Sequence, residues 1–218
     1  LQKSNILLIG PTGCGKTELI RRIMELVNLP VVISDFSGVV ATPWKGRNKE
    51  EALAHLYEKA GKDIAKAECG IVFLDEFDKI AYSRNGGLEM KRAVQQQLLD
   101  FLGGGKYTIK VGEDIFDSKK VEFDISILTF ICLGALTDLR SLKTAKKQSM
   151  GFGGSDNIEK QDYTITPQDL MGIGLEKELV GRFNTYLHTN DYSKEILVKI
   201  LKESTISPMI GFKKWIES

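Results

Sequence analysis

Apolar residues in this chain follow two patterns: short unbroken runs, and longer stretches in which they recur every three or four positions. The runs are Ile6-Leu7-Leu8-Ile9, Val31-Val32-Ile33, Ile71-Val72-Phe73-Leu74 and residues 127–133. Apolar runs of this length between turn residues predict strands buried on both faces. A last strand is predicted at Thr185-Tyr186-Leu187-His188. Helical spacing joins Leu19, Ile20, Ile23, Leu26 and Val27, and predicts one helix from Lys49 to Glu68 through Leu53, Leu56, Tyr57, Ala60, Ile64 and Ala67. It predicts another over 88–102, which Gly103-Gly104-Gly105 ends, and an amphipathic one over 193–203.

Polar residues refine this picture. Tyr107-x-Ile109-x-Val111 and Val121-x-Phe123-x-Ile125 alternate strictly and predict a β-hairpin, with Lys119 and Lys120 at its solvated tip. A polar helix is expected over about 137–147. Thr166-Pro167-Gln168-Asp169 reads as a helix start, with a capping hydroxyl, proline at the first position and an acid at the third. A short helical segment follows at 178–183. Strands interleaved with helices imply an α/β domain: a five-stranded parallel sheet flanked by helices, with the hairpin inserted.

The chain has 218 residues, enough for one large domain or one domain and part of a second. A net charge of +1 gives no reason to expect nucleic acid or an anionic membrane as the main partner. No apolar run approaches a membrane span. Cys14, Cys69 and Cys132 fit neither a metal site nor a disulfide framework. Cys69 and Cys132 border apolar runs and are expected to be small buried hydrophobes, whereas Cys14 would contribute its backbone N–H. The two histidines are read as structural. Nothing resembles a signal peptide, and Leu1 opens almost directly on the first strand, so the chain reads as a fragment of a cytoplasmic protein.

Chemistry enters at Gly10-Pro11-Thr12-Gly13-Cys14-Gly15-Lys16-Thr17, a G-x-x-x-x-G-K-T stretch between a predicted strand and a predicted helix. This is the context that a phosphate-binding loop requires. Its glycines let successive backbone N–H groups converge on phosphate oxygens at the positive end of the helix dipole. The backbone from Pro11 to Thr17 would hold a nucleoside triphosphate, Lys16 would reach the terminal phosphates, and the Thr17 hydroxyl would join a magnesium shell. The strand 71–74 runs into Asp75 and Glu76. Ligands of parallel sheets sit at the carboxyl ends of the strands, so Asp75 should face the crevice that holds Lys16 and Thr17. Asp75 can support magnesium through water and Glu76 can polarise the attacking water. Alone, the acids would read as the solvated end of a strand; the phosphate loop turns the reading toward hydrolysis.

Together these segments resemble the AAA+ ATPases, and within them the ClpX protein unfoldase family. The similarity runs from Asn5 to about Pro208, through 5–17, 70–80, 94–102, 127–132, 151–153, Asp169-Leu170 and Glu178-Leu179-Val180-Gly181-Arg182. The resemblance implies an additional strand between the phosphate-loop strand and the Asp-Glu strand. It also implies a ring, usually of six subunits, with ATP and Mg2+ at each subunit junction. Arg182 would then be an arginine finger for the neighbouring subunit's nucleotide; outside the family it would read as a surface salt bridge. Trp44-Lys45-Gly46 stands where the family has its polypeptide-gripping pore loop, with Trp44 and Lys45 replacing tyrosine and valine. Met150-Gly151-Phe152 matches the tripeptide with which ClpX docks on the ClpP peptidase. The chain departs from the pattern in two further places: a shorter segment at 84–90, and Cys132-Leu133-Gly134, which lacks a polar sensor side chain.

The resemblance places the large nucleotide-binding domain at 1–204 and the start of a linker and small domain at 205–218. It leaves the zinc-binding domain and the second sensor arginine outside these residues. The function it implies is an ATP-dependent protein unfoldase that passes polypeptide to a ClpP-type peptidase. The alternatives are an AAA+ motor acting on nucleic acid, against which the near-zero net charge argues, and a nucleotide-responsive scaffold, against which the Asp75-Glu76 pair argues. A small-molecule kinase would leave the Gly181-Arg182 pair and the hairpin without a job.

Overall fold

A computed structural model describes residues 3–35, 46–81, 88–111, 119–135, 165–204, 207, 209–210 and 215–216. In chain order the elements are β1 (Asn5–Ile9), α1 (Lys16–Leu26), β2 (Val31–Asp35), α2 (Gly46–Lys59), α3 (Ile64–Glu68) and β3 (Ile71–Asp75). A 3₁₀ turn at Phe77–Ile80 follows, then α4 (Leu88–Gly103), β4 (Lys106–Val111), β5 (Lys119–Asp124) and β6 (Thr129–Gly134). Last come α5 (Pro167–Gly172), α6 (Lys177–Val180), β7 (Thr185–His188) and α7 (Lys194–Glu203).

Five strands form one parallel sheet in the order β2-β3-β6-β1-β7. β6 therefore enters between β1 and β3, which places the additional strand where the AAA+ resemblance put it. Both faces of the sheet are covered, and for that reason the strands read as unbroken apolar runs. On one face Leu8, Phe73 and Leu133 pack with Ile20 of α1, and Ile23, Met24 and Val27 close over them. On the other, Leu7, Val72, Leu74, Phe130 and Cys132 join a larger core with Leu53 and Leu56 of α2 and Leu98 and Phe101 of α4. The β4–β5 hairpin adds Ile109 and Phe123 to that core, and Phe101 meets Phe130 and Tyr107 in edge-on contacts at 4.8 and 5.6 Å.

Several elements differ from the pattern in the sequence. α1 buries Ile20 and turns half-buried Ile23 and Met24, with Val27 at its cap, toward the sheet, while Leu19 and Leu26 point outward, Leu26 being 85% exposed. The single helix expected from Lys49 to Glu68 starts earlier, at Gly46, and is two helices. Gly61 and Lys62 both take positive φ (71° and 66°), which ends α2, and the Asp63 side chain accepts the Lys66 N–H at 3.1 Å to start α3. In the hairpin Lys119 pairs with Val111 and Lys120 with Lys110, so both lysines belong to β5 and not to its tip. Cys132 is buried, but Cys69 is exposed: it follows α3, whose inward position is taken by Ala67. The expected helix at 137–147 lies outside the described residues.

Two starts read from sequence have the expected chemistry. Thr166 and Asp169 form a reciprocal capping box with Pro167 at the first position of α5. The Ser193 side chain caps α7, although none of that amphipathic helix's residues is buried.

Candidate active site

The strands of a parallel sheet all end on the same edge, and four of them converge here. Gly10, just past β1, donates its N–H to the Gly134 carbonyl at the end of β6 (3.1 Å), and Thr189, just past β7, donates to Ile9 (2.8 Å). Beside these ends lies a cleft of about 490 Å³. Thr12, Gly13, Gly15, Lys16 and Thr17 line one side; Asp75, Glu76, Asp78 and Lys79 line the other, with Gly134 and Ala135 at the end of β6.

Gly15 caps α1 in a left-handed conformation and no side chain caps the helix. The N–H groups of its first turn are therefore left for a ligand, at the positive end of the helix dipole. Close approach also requires glycine in this loop. A Cβ at Gly10 would stand 1.8 Å from the Thr189 hydroxyl, and one at Gly15 2.4 Å from the Tyr192 hydroxyl. The Lys16 ammonium donates to the carbonyls of Gly10 and Pro11, both at 2.8 Å, and so curls back over the loop. The buried Cys14 thiol meets Thr189 Oγ1 at 2.8 Å. Thr189 and Tyr192 thus brace the loop from a segment about 175 residues away in sequence.

Across the cleft, Thr17 Oγ1 donates to Asp75 Oδ2 at 3.4 Å, and Asp75 Oδ1 accepts the Glu76 N–H at 2.8 Å. Glu76 itself has φ +57°, outside the usual range of a residue with a side chain. A backbone held in that region costs on the order of 1–3 kcal/mol and is found at active sites and ligand clamps. The strain turns the chain sharply from β3 into the 3₁₀ turn and leaves Glu76 on the cleft wall. Asp78 Oδ1 accepts the Ala135 N–H at 3.1 Å, tying that turn to the end of β6. Sequence reasoning gave Asp78, Thr189 and Tyr192 no role, because their partners, the residue after β6 and the phosphate loop, lie far away in the sequence.

Arg182 stands elsewhere. It precedes β7 by three residues, and its carbonyl accepts the side-chain N–H of the buried Asn5 at the start of β1 (2.9 Å). It therefore sits at the opposite edge of the sheet. A five-residue strand rising about 3.3 Å per residue puts roughly 15 Å between the two edges, too far for Arg182 to serve its own subunit's cleft. The guanidinium lies over Gly103, where an added Cβ would be 3.5 Å away. Among the described residues it forms no ion pair of the kind a surface salt bridge would need. Nearby, Lys3 donates to the Ile125 carbonyl at 3.1 Å and lies over the Phe130 ring; burial, and then repulsion from Arg182, lower its pKa to about 8.

The structure thus brings Pro11 to Thr17, Asp75 and Glu76 together and leaves Arg182 apart from them. Gly46 begins α2. Trp44, Lys45, Met150, Gly151 and Phe152 lie outside the described residues. Among the described residues no three His, Cys, Asp or Glu side chains cluster to hold a metal, and no helix is long and apolar enough to cross a membrane.

Comparison with known proteins places the chain in a family. A family model described as "AAA domain (Cdc48 subfamily)" matches residues 1–186. The chain is 35% identical over 209 residues to "ATP-dependent Clp protease ATP-binding subunit ClpX 2" of Wolinella succinogenes. It is 32% identical over 218 residues to the ClpX subunit of Treponema denticola, and 30% identical over 217 to that of Azotobacter vinelandii. Each alignment covers 93% of this chain but 52%, 52% and 49% of the relative, so the chain spans about half the length of these proteins.

Proposed function

The chain belongs to the AAA domain (Cdc48 subfamily) family, and on that premise we propose that it is the nucleotide-hydrolysing domain of a ClpX-like protein unfoldase. One observation carries the proposal: a single cleft gathers Lys16, Thr17, Asp75 and Glu76, while Arg182 stands at the far edge of the sheet. In the proposed reaction the loop N–H groups and Lys16 hold the triphosphate of ATP. Lys16 exchanges its two carbonyl partners for phosphate oxygens, and Glu76 orients and polarises the attacking water. Arg182 reaches the nucleotide of a neighbouring subunit and stabilises the charge that develops there, an effect worth about 10³–10⁵ in rate for such residues.

The donor set fits Mg2+. Thr17 and Asp75 offer one hydroxyl and one carboxylate, and magnesium is held by one or two carboxylates with phosphates and waters, not by a protein cage. Bound there, the ion would neutralise charge on the phosphates.

A residue that acts on a neighbour's nucleotide requires an assembly, and we assign a homo-oligomeric ring, hexameric as in the family resemblance. Trp44, Lys45 and Gly46 would grip polypeptide in its channel, and Met150, Gly151 and Phe152 would dock a ClpP-type peptidase. The similarity to ClpX subunits favours polypeptide over nucleic acid as the substrate. Residues 1–204 would form the large domain and 205–218 the start of the small one, in a cytoplasmic protein.

The test is ATP-driven degradation of a tagged, folded substrate by the full-length protein with its peptidase. Degradation that stops with Trp44→Ala, while ATP turnover persists, supports the reading. Vigorous turnover with no unfolding, indifferent to Trp44→Ala, would sink it.

A further inference from the structure

Two contacts join the element that carries Glu76 to the element that carries Arg182. The first is Gln95 of α4, a fully buried polar side chain. Its Nε2 donates to the carbonyl of Ile80, the last residue of the 3₁₀ turn, and to the carbonyl of Gly174, both at 2.9 Å. Its Oε1 accepts the N–H of Glu176 at 2.8 Å. Glu176 is the cap of α6, and α6 leads directly into Arg182, whose N–H bonds Leu179 at 3.0 Å. One amide therefore spans the turn after Glu76 and the connection before Arg182 and uses both of its N–H donors and its oxygen to do so.

The second contact is aromatic. Phe77, the residue after Glu76, meets Phe183, the residue after Arg182, edge-on at 5.5 Å and 89°. Both rings are buried. Packed rings and a saturated buried hydrogen-bond hub do not deform gradually, so a displacement at either end is transmitted to the other.

We propose that Gln95 is a positioning residue which, with the Phe77–Phe183 contact, fixes Arg182 relative to Glu76. The water-activating turn of a subunit's own site and the arginine it offers its neighbour then move as one body. This rests on the reading that Arg182 acts in trans. It adds a route by which the nucleotide state of one site sets the activity of the next. The reason for glutamine at this position is geometric: an apolar side chain would remove the bonds it makes to the Ile80 and Gly174 carbonyls and to the Glu176 N–H, and would uncouple the two elements.

The experiment mixes subunits of the full-length protein. Arg182→Ala subunits keep their own site but offer no finger; Glu76→Gln subunits have a silent site but keep the finger. Mixed rings should recover ATPase activity that neither variant has alone. Gln95→Met is then added to the Glu76→Gln subunits, whose own sites are already silent, so only the finger can be affected. The recovered rate is expected to fall by about 10- to 100-fold, the scale of a misplacement near 1 Å, with ATP binding and ring entry unchanged. Phe183→Leu in the same subunits leaves the Gln95 bonds in place and keeps the core filled, and it should lower the rate in the same direction. If Gln95→Met subunits do not enter rings, Phe183→Leu decides the matter. An undiminished recovered rate overturns the coupling. No recovery in the first mixture overturns the trans reading of Arg182, and the coupling with it.

Discussion

Two glycines of the phosphate loop have the same backbone angle but different surroundings, and that difference can be measured. Gly13 and Gly15 both have φ +81°; a Cβ at Gly13 meets nothing within 4 Å, whereas one at Gly15 stands 2.4 Å from the Tyr192 hydroxyl. Gly13→Ala should therefore cost only the left-handed backbone penalty, about 1–2 kcal/mol. Gly15→Ala should cost that plus up to about 1 kcal/mol for turning the exposed Tyr192 ring aside. Tyr192→Phe removes the offending oxygen, and the next atom, Cζ, lies at an ordinary 3.6 Å. The pair should then show a coupling of about 1 kcal/mol, within the range for residues in contact. Urea unfolding of the four proteins without nucleotide gives each value from its midpoint and slope. Equal costs at Gly13 and Gly15, or additive effects of Gly15→Ala and Tyr192→Phe, would refute the packing of Tyr192 on the loop.

Two further outcomes follow from burial. A thiol reagent should modify one cysteine quickly in the native protein, the exposed Cys69, and reach Cys14 and Cys132 only on unfolding; burial also raises the Cys132 pKa well above the ordinary value. A fast-reacting thiol that persists in Cys69→Ser contradicts this. Burial lowers Lys3 from 10.5 to about 8. Below pH 8 the amine is protonated folded and unfolded, and the cost of burying it is fully present. Between about 8 and 10.5 the unfolded chain holds more protons, so stability rises with pH. Across that window the native protein should gain stability relative to Lys3→Met, read as urea midpoints; parallel profiles would remove the effect.

The parts of this protein that show in its sequence are those fixed by local pattern. Buried parallel strands such as β3 are apolar throughout, so β1, β3 and β6 announce themselves, and the phosphate loop is legible because its backbone geometry demands glycines at set spacings. α1 shows the limit. Leu19, Ile20, Ile23, Leu26 and Val27 give an acceptable helical stripe, yet the sheet selects Ile20, Ile23, Met24 and Val27, a rotation that only the packing partner decides. The break at Gly61 and Lys62 was hidden because apolar periodicity resumes in α3 almost in phase. The site follows the same rule. Lys16, Thr17, Asp75 and Glu76 are carried by motifs, whereas Asp78, Tyr192 and Gln95 depend on contacts between distant strands and helices and leave no mark in the local sequence.

The central claim is that one cleft binds ATP through Lys16 and hydrolyses it through Glu76. It is tested most directly by measuring ATP affinity and turnover side by side in assembled full-length Lys16→Ala and Glu76→Gln. Lys16→Ala should lose binding and turnover together. Glu76→Gln should bind ATP as tightly as the parent and lose turnover by about 10²–10⁴-fold, the usual contribution of a general base. Turnover in Glu76→Gln equal to the parent, with ATP still bound, would contradict the account.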